Sequence, residues 1–275
     1  MNSLYLSFRL VLVAVLGLSS IAINYSCEKA DGMEPVNEAK DQRVEEKLFS
    51  QYTLDSFPMK IFVPREYEND KNLPVVYLLD GLLPSPLDNV VFFDEVVGSM
   101  QKIGLKAILV AVGDKKGVAR EEDFLGQGCR GTVIGFDNFF NFLTKELVPH
   151  IDGKYESDRT KRTLIGHSHG GNFAYNAFFN EDPNNIIFRG YIAVDPTECD
   201  NNVLVERINS MDFPNDARMK IHLSEVDYDV EKVYNFLKDK DFPWLFMDFE
   251  RYPDENHVSV TRPSIRKGLQ FVYGI

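Results

Sequence analysis

Twelve residues constrain this chain more than any others: Lys161-Arg-Thr-Leu-Ile-Gly-His-Ser-His-Gly-Gly-Asn172. A short apolar run (Thr163, Leu164, Ile165) leads into Gly166-His167-Ser168-His169-Gly170-Gly171, after which Phe173, Ala174, Tyr175 and Phe178 recur at helical spacing. That pattern is strand, sharp turn, helix, with a serine at the tip. The Gly-x-Ser-x-Gly spacing has a mechanical cause. A serine backbone forced into such a turn is crowded against the following helix, so small residues flank it and its hydroxyl stands clear of the sheet. Five-residue patterns arise by chance; the strand before this one and the helix after it make it specific.

The rest of the chain alternates around that turn. Apolar runs over 73–80, 107–112, 190–194, 219–223 and 245–249 predict buried strands. Between them, helical periodicity covers 89–103, 136–151, 203–211, 230–238 and 264–273. Strands alternating with helices predict a mostly parallel sheet covered on both faces. Two earlier alternating runs, 48–54 and 59–63, predict antiparallel edge strands. There is no internal repeat, and residues 46–275 read as one catalytic domain.

The first 27 residues do not belong to that domain. Arg9 precedes an apolar run, Leu10 to Ile23, of signal-sequence length and short for a membrane span. It ends at Ser26-Cys27, a small residue before a cysteine, which resembles a bacterial lipoprotein signal with Cys27 as the lipidated residue. Residues 28–45 are polar and lack apolar periodicity, and read as a tether. These features predict an exported domain held to a membrane by a lipid anchor only. Two further cysteines, Cys129 and Cys199, are candidates for a disulfide in an exported protein. The net charge of −12, with no cluster of Lys and Arg, argues against a nucleic-acid partner.

A serine hydroxyl needs a general base, and the base an orienting acid. Of the five histidines, His257 alone lies in a polar loop between the last strand and the last helix, where the chain order Ser, acid, His places the base. His150 ends a helix, His222 is in mid-strand, and His167 and His169 flank the serine too closely to swing back. The acid is expected after the strand ending at Leu223, where Ser224-Glu225-Val226-Asp227-Tyr228-Asp229 offers three carboxylates. Asp227 is favoured and Glu225 is its rival. An oxyanion hole needs two backbone N–H donors. His169 follows the nucleophile and supplies one; Gly81 in Asp80-Gly81-Leu82 lets the chain turn so that Leu82 supplies the other. His167-x-His169 could hold a metal with a third ligand, but the turn itself accounts for the spacing, so neither metal nor cofactor is expected. Arg120 and Arg130, in the long loop 113–135, are candidates for receiving a carboxylate or catecholate part of a substrate. They could equally pair with Glu121, Glu122 and Asp123.

Together, Lys60 to Tyr67, Leu73-Pro-Val-Val-Tyr-Leu-Leu-Asp-Gly81, Arg120 with Asp123-Phe124, Phe142 to Pro149, and Gly166 to Gly171 carry a resemblance. Over residues 50–275 the chain resembles the putative-esterase (esterase D-like) family of the α/β-hydrolase superfamily. That resemblance implies an α/β-hydrolase fold: a mostly parallel central sheet with antiparallel N-terminal strands and helices on both faces. It implies a serine esterase acting through an acyl-enzyme on a small-molecule ester of siderophore or carbohydrate type, with Ser168, His257 and a carboxylate as its working residues. Asp195-Pro-Thr-Glu-Cys-Asp200 and His169 depart from the family's common residues. An acyltransferase using the same nucleophile, and a non-catalytic binding module on a hydrolase shell, are the alternatives.

Overall fold

An eight-stranded sheet runs through the computed structural model, which describes residues 39–83, 92–113, 123–125, 135–197, 207–226 and 230–275. In chain order the strands are β1 (Gln42–Phe49), β2 (Ser56–Val63), β3 (Val75–Leu78), β4 (Ile108–Val112), β5 (Arg162–His167), β6 (Gly190–Val194), β7 (Met219–Glu225) and β8 (Leu245–Arg251). Across the sheet they lie in the order β1-β2-β4-β3-β5-β6-β7-β8. The β1–β2 and β2–β4 pairs are antiparallel and all later pairs are parallel. The chain reverses its winding between β3 and β5, which places β5 centrally, with later strands added on one side and β4, β2 and β1 on the other.

Helices cover both faces because every central strand is apolar on both. One face packs α2 (Gly135–Asn141), α3 (Val148–Lys154), α4 (His169–Phe178) and α5 (Glu231–Lys240) over a core that includes Tyr77, Val110, Leu164 and Ile221. The other packs α1 (Phe92–Lys102) and α6 (Thr261–Tyr273) over Val76, Leu78, Leu109, Ile165 and Ile192. A π-helical stretch, Phe142–Leu147, joins α2 to α3. The phenylalanines of 136–142 are core residues: Phe139 and Phe142 are buried, and both meet Phe57.

Two boundaries differ from the sequence expectation. Residues 42–45, assigned there to a tether, form the start of β1, an edge strand whose Arg43, Glu45 and Lys47 are exposed while Val44, Leu48 and Glu46, the last bonded to His150 and Lys154, turn inward. Residues 51–54, assigned to a strand, form a turn: the Ser50 hydroxyl accepts the N–H groups of Tyr52 and Thr53, and Ser50 N–H bonds Asp55 O at 2.8 Å. The serine overrides the β-propensity of Tyr-Thr-Leu. Of the expected helix 203–211, only residues from 207 onward are described, and 207–210 are helical. Cys27, Cys129 and Cys199 lie outside the described residues. No described helix is long and apolar enough to cross a membrane.

Between α4 and β6 the buried Glu181 accepts N–H groups from Ile187 and Phe188, each at 2.8 Å, and the Tyr191 hydroxyl at 2.6 Å. Burial outweighs these donors and pushes its pKa from an ordinary 4.5 up to about 7. Between those two values the folded state alone holds the proton, so this group's contribution to stability falls as pH rises, and the fall is complete above 7. The expected loss is on the order of 3 kcal/mol. Urea denaturation of the protein and of Glu181→Gln on either side of that window measures it; parallel pH dependences in the two would show that Glu181 is not its source.

Candidate active site

The carboxyl ends of β3, β5 and β6 and the loop after β8 meet at one end of the sheet. Ser168 caps the amino end of α4 with φ 58° and ψ −121°. Its N–H bonds Val194 O at 3.0 Å, and its carbonyl accepts Asn172 N–H at 2.9 Å and Thr197 N–H at 3.2 Å. The surrounding glycines answer to close approach. A Cβ on Gly166 would lie 1.9 Å from Gly170 O, and one on Gly171 would lie 2.9 Å from Val194 O. Asp80, Ser168 and Asp195, at the ends of three neighbouring strands, are three of six non-glycine residues with positive φ among the described residues. Backbone strain is therefore concentrated at this end, as it is where side chains are held for use.

His257 reaches this end from the loop between β8 and α6. Its Nδ1–H donates to Asp195 Oδ2 at 2.5 Å. Asp195 is fully buried, and its Oδ1 accepts the Val226 N–H at 2.7 Å. An ionised carboxylate only accepts, so Nδ1 carries the proton and Nε2 is the basic nitrogen. His167 Nε2–H donates to the His257 carbonyl at 2.6 Å, and the two rings lie 4.5 Å apart. The residue before the serine thus holds the residue that carries the imidazole. Among the described residues no hydrogen bond joins the Ser168 and His257 side chains directly.

Among the described residues His257 bonds Asp195, a carboxylate that the sequence expectation, Asp227 with Glu225 as rival, does not include. Glu225 is engaged elsewhere: Arg251 binds its Oε1 through Nε at 2.8 Å and Nη2 at 2.5 Å, and its Oε2 accepts the Val230 and Glu231 N–H groups at the start of α5. It ties β7 to β8 and caps a helix. Asp227, Arg120 and Arg130 lie outside the described residues. The sequence reading places the acid after β7, whereas Asp195 follows β6. In the register, His167 pairs with Val194, so Asp195 stands beside Ser168 on the adjacent strand; a residue after β7 is one further strand spacing away, about 4.8 Å. The signal was present in an acidic residue closing a wholly apolar strand, Gly190–Val194, next to the serine's own strand.

Gly81 is fixed by closeness to β4, since a Cβ there would lie 2.5 Å from Ala111 Cβ. Its N–H bonds Val112 O at 3.1 Å and its carbonyl accepts Phe93 N–H at 2.9 Å. The preceding Asp80 carboxylate abuts the first turn of α4: its Oδ2 would lie 2.9 Å from a Cβ on Gly170. The loop carrying Leu82 is therefore beside the helix that starts at His169, whose first N–H groups have no intrahelical acceptor. The other two histidines serve the scaffold. His150 meets Glu46 at 3.0 Å, and buried His222 bonds Asp248 at 2.8 Å and Ser264 at 3.2 Å.

A serine on a strained turn, and an imidazole bonded to a buried carboxylate at the same end of the sheet, are the groups that attack on a carbonyl requires. The protein is a serine hydrolase built on the α/β-hydrolase sheet. More narrowly, it belongs to the putative esterase family, whose model matches residues 50–188, and is a carboxylic ester hydrolase. It is 24% identical over 230 residues to ferri-bacillibactin esterase BesA of Bacillus subtilis, covering 72% of this chain and 78% of that one. An IroE-like serine hydrolase from Shewanella oneidensis has a similar fold, with a TM-score of 0.69 at 21% identity over 83% of this chain and 79% of that one. Enterobactin hydrolase IroE in complex with DFP gives a TM-score of 0.66 at 20% identity, over 86% and 96% of the two chains.

Proposed function

We propose that the protein cleaves an ester of siderophore type, with Ser168 as nucleophile, His257 as general base and acid, and Asp195 as the orienting carboxylate. The hydrogen bond from His257 Nδ1 to buried Asp195 carries this assignment. Ser168 Oγ attacks the ester carbonyl while His257 Nε2 takes its proton, and the carbonyl π electrons move onto oxygen. The N–H groups of His169 and Leu82 stabilise that oxyanion, with Gly81 shaping the turn before Leu82. On collapse, the imidazolium returns the proton to the leaving alcohol. Water, deprotonated by the same imidazole, then releases the acid from the acyl-enzyme. Ser168 and His257 come within hydrogen-bond reach as substrate orders the site.

The substrate class rests on the relatives named for ferri-bacillibactin and enterobactin and on the chemistry of Arg120 and Arg130. Two guanidinium groups in the long loop suit the negative charge of a ferric catecholate. Export and a lipid anchor at Cys27 are proposed on the N-terminal residues, and such a location would put the enzyme in the path of imported siderophore. Hydrolysis of a ferric catecholate trilactone, a feruloyl ester and a short-chain nitrophenyl ester should be measured side by side, with Ser168→Ala as blank. The trilactone is expected to give a kcat/KM at least about tenfold above the others. A feruloyl preference of that size would reject the siderophore assignment while leaving the esterase intact.

A further inference from the structure

A cavity of about 420 Å³ opens at the amino ends of β5, β6 and β7, the opposite end of the sheet from Ser168. Its wall carries Lys161, Arg162, Arg189, Arg218 and Lys220 against one carboxylate, Asp216. Two of the cations are neutralised: Arg162 by Asp152 at 2.6 Å and Lys161 by Asp158 at 3.0 Å. Among the described residues, Arg189, Arg218 and Lys220 have no carboxylate within ion-pair distance. Lys220 Nζ donates to the carbonyls of Phe271 at 3.2 Å and Val272 at 2.6 Å, and Arg189 donates to Ala217 O. These carbonyls satisfy hydrogen bonds without cancelling charge.

Capping the carboxyl end of α6 accounts for Lys220. It does not account for Arg218, which is exposed, lies 5.6 Å from the Phe246 ring and holds its backbone at φ 49°. In a chain of net charge −12, three unneutralised cations on one cavity wall repel one another and favour an anionic occupant. Burial and the neighbouring Arg218 already lower the Lys220 pKa. The volume falls within the range of small-molecule sites, roughly 300–1,000 Å³.

We propose that this cavity binds a small phosphate-class oxyanion, through Arg189, Arg218 and Lys220, at a site separate from the ester-cleaving end. The test is thermal unfolding of the full chain in rising inorganic phosphate, with sodium chloride holding ionic strength constant, and glycerol 3-phosphate as a second arm. A saturable rise in Tm is expected, about 4 °C at tenfold excess over Kd. Arg218→Asn should abolish it without loss of basal Tm, because asparagine accepts the left-handed backbone better than arginine does. Arg189→Gln should weaken it as well. Tighter binding of glycerol 3-phosphate than of phosphate would identify a phosphate ester as the natural occupant, and equal binding the free ion. A rise no larger than chloride produces, or a phosphate effect undiminished in both variants, overturns the proposal.

Discussion

Ser168→Ala is expected to lower kcat on any ester substrate by about 10⁶, the size of loss seen when a serine nucleophile is removed from a triad. The same variant should lose all labelling by a fluorophosphonate probe, which the parent protein should take up at Ser168 alone. Both readouts follow from the geometry of the turn. The hydroxyl is held out from the sheet at φ 58° by bonds to Val194, Asn172 and Thr197. An alanine there keeps those backbone bonds and loses only the oxygen. Tm should therefore be unchanged or slightly raised, which separates a chemical loss from a folding one. Retained labelling in Ser168→Ala would move the nucleophile elsewhere. A parent protein that takes no label would argue for a binding module on this sheet.

The serine turn and its sheet were legible in sequence because each rests on local or periodic signals. Thr163 to Ile165 and Phe173 to Phe178 declare strand and helix by their own spacing, and Gly166 is needed wherever two backbones approach to within a Cβ's width. The place of His257 between β8 and α6 was legible because a polar stretch separates the last apolar run from the last helical one. The bond from His257 to Asp195 was not, because it depends on strand order. Nothing in the residues around Asp195 says that β6 lies next to β5, and the carboxylates at 225–229 made a denser local signal. Glu225 is buried for a different reason, its bonds to Arg251 and the first turn of α5, and both sets of partners are distant in sequence or cross between elements. The edge strand β1 was missed on similar grounds. A strand with charged residues facing water on an open edge has little of the apolar alternation that marks a half-buried one.

Asp195→Asn is expected to cost about 10⁴ in kcat, because an amide at this position favours the wrong imidazole tautomer and does not stabilise the imidazolium that forms. The contrast is with Glu225→Gln and Asp227→Asn. Glu225→Gln weakens the Arg251 pair and the start of α5, so it should lower Tm and leave kcat within a few-fold of the parent. Asp227→Asn should change kcat no more than that. The pattern separates the orienting acid from a structural carboxylate, since only Asp195→Asn should depress kcat far more than it depresses Tm. The serine should still react with a fluorophosphonate in Asp195→Asn, at a rate reduced in step with kcat, because the hydroxyl and the oxyanion donors remain. If instead Asp227→Asn carried the 10⁴-scale loss and Asp195→Asn were nearly silent, the buried pair seen here would be a resting arrangement. The acid would then reach His257 from the loop after β7.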